Sequence, residues 1–529
     1  MNDQDDRPES PEIRPIPQIP RRALLKQLGG AAAAAALLPR LAACDDEETI
    51  PASGADASDA AGASDTAGLA PDALGADTAA ADTGPGPVPA LQPLRRDGSH
   101  PYDYIDTIVI LQMENRSFDH YYGALSLEEG RDDVDGLVAG LTNPDASGAP
   151  VGLRRVRDLF TISPDPSHGH VASLEQWADG ANDGFVRNWQ KKLAADLDDE
   201  AERQARLDLV MGWYGRAELP AHYGLADAFT VCDRWFCSLL GPTWPNRFYS
   251  HAATSDGLFA NLTPLESPTM FRLALDHGLT VGAYYSTLFH FAWTMKNPEP
   301  TDYYDQPLEQ FFADAEAGTL PNVCIVEPDY AVDDDHPPHD TRLGQPFIQS
   351  VYEALRQSPQ WDRCLFLVFY DEHGGFHDHV APPKTAGDAR AADGFDQLGF
   401  RVPGLVAGPL VKRGAVHHGV LDHASVPALV SRVFDLPFLN DRARLAGDFA
   451  DLMDLELTVD AKRPAPPALP AIEVPAAAYE RAHLAAFAQT ELAEYCMKRG
   501  LRRESERERG RLVDRRVRRM LDQRVLRLR

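Results

Sequence analysis

Short, continuous apolar runs rich in β-branched residues constrain this chain more than any other feature. They are "YIDTIVILQM" from Tyr104, "TVGAYYS" from Thr280, "NVCIVEP" from Asn322, "CLFLVFYDE" from Cys364 and "VPGLVAGP" from Val402. A strand with one wet face alternates apolar and polar residues. These runs do not alternate, as suits a sheet buried on both faces. Helix-like stretches lie between them, such as Leu308 to Ala317 and Pro346 to Gln357. That order predicts an α/β/α sandwich with a mostly parallel central sheet. The 529 residues leave ample length for a large core, and no repeat at solenoid spacing competes with this reading.

In open α/β sheets, ligands bind where strands end at their carboxyl side. Two of the best strands here end in acid. One runs into Glu114-Asn115 in "ILQMENRSFDHYYG", the other into Asp371-Glu372 in "FLVFYDEHGGFHDHVAPP". Either pair alone could cap a helix or end a strand harmlessly. Together, three carboxylates and an amide carbonyl on one rim repel each other unless a cation lies between them. Oxygen ligands without thiolates favour a hard divalent ion, Ca²⁺, Mg²⁺ or Mn²⁺ rather than Zn²⁺.

"GPTWPNRFYSHAA", residues 241–253, adds a hydroxyl. Thr243 follows a Gly-Pro turn and precedes Pro245, a good first helical residue, so it is expected near an N-cap beside free backbone N–H groups. Such a hydroxyl is usually only a cap; against a divalent cation it can lose its proton and attack phosphorus. "DPSHGH" brings His168 and His170, and "DDDHPPHD" brings His336 and His339. Loops over an α/β rim are where proton donors come from, although a lone loop histidine is ordinarily a surface residue. His423 in "LDHASV" suits either core or site.

With these motifs in hand, residues 101 to 440 resemble the bacterial phosphoesterase family that contains phospholipases C and acid phosphatases, within the alkaline phosphatase-like superfamily. The resemblance rests on "ENRSFDHYYG", "DPSHGH", "GPTWPNR", "DHPP" and "DEHGGFHDHVAPP" in family order. It implies that Glu114, Asn115, Asp371 and Glu372 hold a metal ion. Thr243 would then be the nucleophile and also touch the metal, and His168 and His336 would stand beside the transferred phosphoryl group. The implied activity is a metal-dependent phosphoric ester hydrolase working through a phosphothreonine, with phospholipid among its possible substrates. Thr at the nucleophile position resembles the phospholipase branch, and Ser the acid phosphatase branch that acts on monoesters. The chain departs from the family at Gly169-His170, where Ser-Trp is common.

The flanks read differently. "PRRALLKQLGGAAAAAALLPRLAAC" carries Arg21 and Arg22, then an apolar stretch too short for the roughly 20 residues of a membrane span. It resembles a twin-arginine export signal, and "LAAC" a lipobox whose Cys44 is lipidated. The domain expectation is therefore a signal over 1–44, a disordered acidic linker over 45–100, a catalytic domain over 101–458, and a Pro-rich linker with basic helices over 459–529. Residues 45–84 hold ten acids and no Lys or Arg, with few large apolar residues, as suits a tether. Residues 498–529 hold fourteen Lys or Arg against five acids, a solvated helix or one lying on anionic lipid or on the acidic tether. An exported, membrane-anchored lipoprotein of the periplasm or cell surface, monomeric, is expected.

Charge and cysteine usage narrow the classes further. A formal net charge of −29 argues against non-specific nucleic-acid binding. Six scattered cysteines make no disulfide scaffold and no Cys-x-x-Cys metal pair; Cys232 and Cys237 are close enough in sequence to pair. A sulfatase is disfavoured, because its formylglycine cannot be made from Thr243. A surface lipoprotein that binds a ligand without catalysis is the alternative from another class.

Overall fold

The computed structural model describes residues 90–529 apart from 262, 287–289, 460–461, 483–488 and 501–505. Arg21 and Arg22 of the expected export signal, Cys44 of the expected lipobox and most of the expected acidic linker lie outside the described residues. From residue 90 the chain already lies on the fold, with the Leu91 amide donating to the Thr458 carbonyl at 2.9 Å.

An eight-stranded sheet forms the centre. Its strands are β1 (Thr107–Met113), β2 (Thr230–Cys232), β3 (Val281–Tyr285), β4 (Tyr304–Pro307), β5 (Val323–Val326), β6 (Cys364–Tyr370), β7 (Gly404–Ala407) and β8 (Ala415–His417). Their order across the sheet is β8-β2-β7-β6-β1-β5-β3-β4. β7 runs antiparallel to both its neighbours, and every other pairing is parallel. The continuous apolar runs occupy the middle. Every residue of β1 and β6 is buried, because helices cover both faces. This is the expected α/β sandwich with a mostly parallel sheet.

The flanking helices that matter below are α1 (Thr243–Ala252), α2 (Leu308–Ala317), α3 (Thr341–Gln357), α4 (Ser425–Phe434), α5 (Thr490–Lys498) and α6 (Glu506–Asp522). α2 has the bounds read from the sequence. α3 starts five residues before Pro346, where the sequence reading had begun it; the Asp340 side chain caps it, accepting from the Arg342 amide.

The Pro-rich stretch and the basic tail are built into this body. Ile472–Val474 (β9) pairs in parallel with Leu526–Leu528 (β10). Leu512, Val513 and Met520 of α6 are buried, with Val513 and Met520 in a cluster with Ala331, Val332 and Leu343. Arg516 is buried against Asp333, at 3.0 Å, and Asp329. The basic helix thus packs its apolar face on the domain itself, and residues such as Arg511, Arg515 and Arg518 face outward. No helix among the described residues is long and apolar enough to cross a membrane. Cys232 and Cys237 are buried free thiols, so the pair does not form a disulfide.

Candidate active site

The parallel register sets Met113 beside Tyr370, so the next residues, Glu114 and Asp371, leave the sheet side by side. The crossing is tied by hydrogen bonds: the Asp371 amide donates to the Met113 carbonyl at 3.1 Å, and the Asn115 amide to Asp371 Oδ1 at 3.0 Å. Asn115 takes a φ of 61°, a left-handed turn that asparagine tolerates better than most side chains. Gly374 packs against it; a Cβ there would meet the Asn115 carbonyl oxygen at 2.1 Å, which explains the first glycine of "DEHGG". Its amide donates to Glu372 Oε2 at 2.8 Å and fixes that carboxylate.

Thr243 opens α1 as its first residue, with Pro242 at the cap position and no side-chain cap bond. Thr243 therefore does not serve as a cap, and Pro245 is the third helical residue rather than the first. The hydroxyl faces Glu114, donating to Oε2 at 3.4 Å. One turn later on the same face, Arg247 reaches Glu114 Oε1 at 2.6 Å and Asp371 Oδ2 at 3.3 Å.

The two loop histidines converge on the same place. His168 Nε2 lies 3.3 Å from Asn115 Nδ2 and 3.9 Å from Glu372 Oε1, and its ring centroid is 5.4 Å from that of His336. Each ring is oriented through Nδ1 by a backbone carbonyl, Pro166 for His168 at 2.8 Å and Pro337 for His336 at 2.6 Å. Asp165 joins them: one ligand-type atom each from Asp165, His168 and His336 lie within 4.8 Å of one another. The sequence reading missed Asp165 although it opens "DPSHGH", and missed Arg247 although it closes "GPTWPNR". The remaining histidines support rather than line the centre. His339 holds Asp334 at 2.5 Å, His170 turns to the Leu240 carbonyl, and His423 Nε2 donates to the Asp371 carbonyl at 2.6 Å.

The electrostatics report an excess of negative charge. Glu114, Asp371 and Glu372 are fully buried, and Arg247 supplies one positive charge against their three. Burial, reinforced by the Asp371 charge, pushes the Glu114 carboxyl well above its usual range. Burial likewise lifts Glu372 to about 8, against the opposing charge of His168. Burial disfavours a charged His168, but the carboxylates of Glu372 and Asp165 outweigh it and raise that imidazole to about 9. Burial, with His168 nearby, holds His336 well below the usual histidine value.

Two buried acceptors at this centre, Asn115 Oδ1 and Glu372 Oε1, have no hydrogen-bond partner among the described residues. Buried acceptors without donors are costly unless a cation meets them. Excess negative charge, orphaned oxygens and the carboxylate and amide oxygens of Glu114, Asn115, Asp371 and Glu372 fit a hard divalent ion. A second acidic group, Asp119, Asp378 and His379, is a different case. Arg401 fills it, at 2.9 Å from Asp119 and 2.8 Å from Asp378, and pins the loop after β6 to the helix after β1.

Comparison with known proteins identifies the family. Residues 105–437 match the profile of the Phosphoesterase family. The chain is 35% identical over 379 residues to non-specific phospholipase C1 of Arabidopsis thaliana, covering 65% of this chain and 70% of that one. It is 31% identical over 435 residues to phospholipase C B of Mycobacterium tuberculosis, covering 70% and 80%. Among solved structures, the lipoteichoic acid synthase LtaP of Listeria monocytogenes overlaps with a TM-score of 0.32 at 8% identity, over 64% of this chain and 76% of that one. That overlap is too slight to bear on the site. The family match and the two relatives suffice: this chain belongs to the Phosphoesterase family and is a hydrolase of phosphoric esters.

Proposed function

We propose that the chain is a metal-dependent phosphodiesterase of the phospholipase C kind, with Thr243 as its nucleophile. The observation that carries this is the placement of the Thr243 hydroxyl: first in α1, free of capping duty, and facing Glu114. A divalent ion held by Glu114, Asn115, Asp371 and Glu372, with Thr243 against it, would acidify that hydroxyl and neutralise charge on the phosphoryl group. Ca²⁺, Mg²⁺ and Mn²⁺ suit this oxygen set better than Zn²⁺.

The protein's own part follows from geometry. Thr243 Oγ1 attacks phosphorus and gives its proton to the Glu114 carboxylate it faces. The bond from phosphorus to the leaving oxygen breaks, and a histidine of the His168–His336 pair protonates that oxygen. Water then attacks the phosphothreonine and a neutral histidine takes its proton; the bond from phosphorus to Thr243 Oγ1 breaks, Glu114 returns its proton to Oγ1, and the phosphate group leaves with Thr243 restored. Threonine rather than serine favours a diester, phospholipid included. The second reading is a phosphomonoesterase of the acid phosphatase kind. A panel of phosphomonoesters, phosphodiesters and phosphatidylcholine on one Mn²⁺-loaded sample separates them. Acid-quench trapping of label on Thr243 tests the covalent step, and a fully active Thr243→Ala protein would refute it.

The address of the protein belongs to the same proposal. Arg21 and Arg22 would direct export, and lipidated Cys44 would anchor the chain through the linker that follows. In its native host, Cys44→Ser should release soluble protein, and Arg21→Lys with Arg22→Lys should leave precursor in the cytoplasm. Membrane association unchanged in Cys44→Ser would refute the anchor.

A further inference from the structure

Gln489 enters the catalytic centre from outside the 105–437 region that defines the family match. Its Nε2 donates to Glu114 Oε2 at 2.7 Å and to Thr243 Oγ1 at 3.1 Å, and the side chain is buried. An amide NH₂ thus stands between the carboxylate and the hydroxyl, the two groups between which a cation would be shared. Its other end, Oε1, is buried and without a hydrogen-bond partner among the described residues. This is the same signature shown by Asn115 Oδ1 and Glu372 Oε1.

The position of Gln489 is fixed by the tail around it. It sits at the cap position of α5, whose Leu492, Ala493 and Cys496 are buried in one cluster with Trp244, Phe248 and Phe291. Tyr495 meets the Trp244 ring edge-on at 5.7 Å, beside Thr243 itself. Farther along, Arg516 of α6 is bound to Asp329 and Asp333, in the loop that leads to His336. A solvent-exposed tail would not order a buried amide against the nucleophile; this one is anchored on both the helix that carries Thr243 and the loop that carries a site histidine.

We propose that Gln489 is a ligand of the catalytic cation, supplied by the C-terminal segment. The inference rests on the reading that Glu114 and its neighbours hold a divalent ion. The terminal torsion of a glutamine amide is broad and roughly two-fold, so a half-turn exchanges Nε2 for Oε1 at little torsional cost, and contact with the ion replaces the two bonds Nε2 gives up. With the ion present, that half-turn puts an acceptor where the ion needs one and satisfies the orphaned oxygen. Binding at the ion and docking of α5 are then linked, each strengthening the other.

The test is Mn²⁺ titration of the full chain by calorimetry, with hydrogen exchange of the α5 amides read in parallel. Gln489→Ala should weaken Mn²⁺ binding about 10- to 100-fold, the loss typical when a supporting group is removed from a metal site. Mn²⁺ should slow exchange in α5 of the wild type and leave that of Gln489→Ala unchanged. Gln489→Glu separates a ligand from a structural donor. As a ligand, the added carboxylate keeps or raises Mn²⁺ affinity; as a donor to Glu114, it sets two carboxylates together and weakens binding. Glu114→Ala tests the underlying reading: if it binds Mn²⁺ as the wild type does, the site itself is wrong. If Glu114→Ala loses the ion while Gln489→Ala binds it with wild-type affinity, the site stands and the role of Gln489 is overturned.

Discussion

Arg247 holds Glu114: its Nη2 donates to Oε1 at 2.6 Å with both side chains buried, while its Nε leans on Asp371 at 3.3 Å. One guanidinium from α1 therefore ties the ends of β1 and β6 to the helix that begins with Thr243. The same bond lowers the negative charge that a cation at this centre would have to neutralise.

Removing that guanidinium leaves two buried carboxylates facing each other. Arg247→Ala should destabilise the fold by about 3–5 kcal/mol, the range for breaking one side of a buried ion pair. Arg247→Lys keeps the charge but loses the fork, so it should fall between. Denaturant unfolding of the three proteins checks the order. Equal stability of Arg247→Ala and the wild type would mean that the pair carries no structural load.

Thr243 separates function from stability because its hydroxyl makes no cap bond. Thr243→Ala should stay folded and lose on the order of 1 kcal/mol, the loss of the buried hydroxyl's bonds to Glu114 and from Gln489 rather than of a cap. Turnover should fall by several orders of magnitude. Thr243→Ser should retain part of the rate, since the hydroxyl remains while the loss of the methyl group frees χ1. Parallel unfolding and rate measurements on both variants decide it.

The metal reading predicts a thermodynamic signature independent of any substrate. At a hundredfold excess over its dissociation constant, Mn²⁺ should stabilise the wild type by about 2.7 kcal/mol, and a chelator should reverse the gain. Glu114→Ala and Asp371→Ala should lose this response, because each leaves the ion short of neutralising charge. A melting temperature that rises with Mn²⁺ in both variants as in the wild type would place the ion elsewhere.

Much of this centre was legible because the sheet does the organising. Apolar runs identified β1 and β6, and the parallel rule then put Glu114, Asn115, Asp371 and Glu372 on one rim. β4 was not legible: "YDQP" is a polar edge strand ending in proline and reads as a loop. β2 and β8 are three residues each, too short to show a period. Arg247 could have been found, since four residues after Thr243 on a helix is one turn and the same face. Gln489 could not, because 246 residues separate it from Thr243 and only the folded tail brings them together. The docking of the basic tail was hidden in a similar way. Its arginines dominate the composition, while the buried face of Leu512, Val513 and Met520 decides where it lies.

The Arg401 cluster gives a pH dependence away from the centre at Thr243 and Glu114. His379 Nδ1 lies 2.8 Å from Asp119 Oδ2, and its Nε2 lies 3.2 Å from Asp135, with Asp378, His377 and Arg401 also around it. Burial opposes protonation of His379, but the Asp119 carboxylate outweighs it by charge and hydrogen bond and raises the imidazole to about 9. A raised histidine stabilises the fold fully below its unfolded value near 6.5, and that contribution is lost as pH rises through about 9. Partial exposure of the ring screens the effect, leaving on the order of 2 kcal/mol. His379→Gln removes the titrating group while keeping hydrogen-bonding capacity. The stability difference between wild type and variant should therefore be largest near pH 6 and should shrink towards pH 10. Asp119, held below its usual range, acts on the acid side only: burial opposes that shift, but His379 and Arg401 outweigh it. Guanidinium unfolding of both proteins at pH 6, 8 and 10 reads the slope directly. A difference that stays flat across that window would mean that His379 is neutral in the fold.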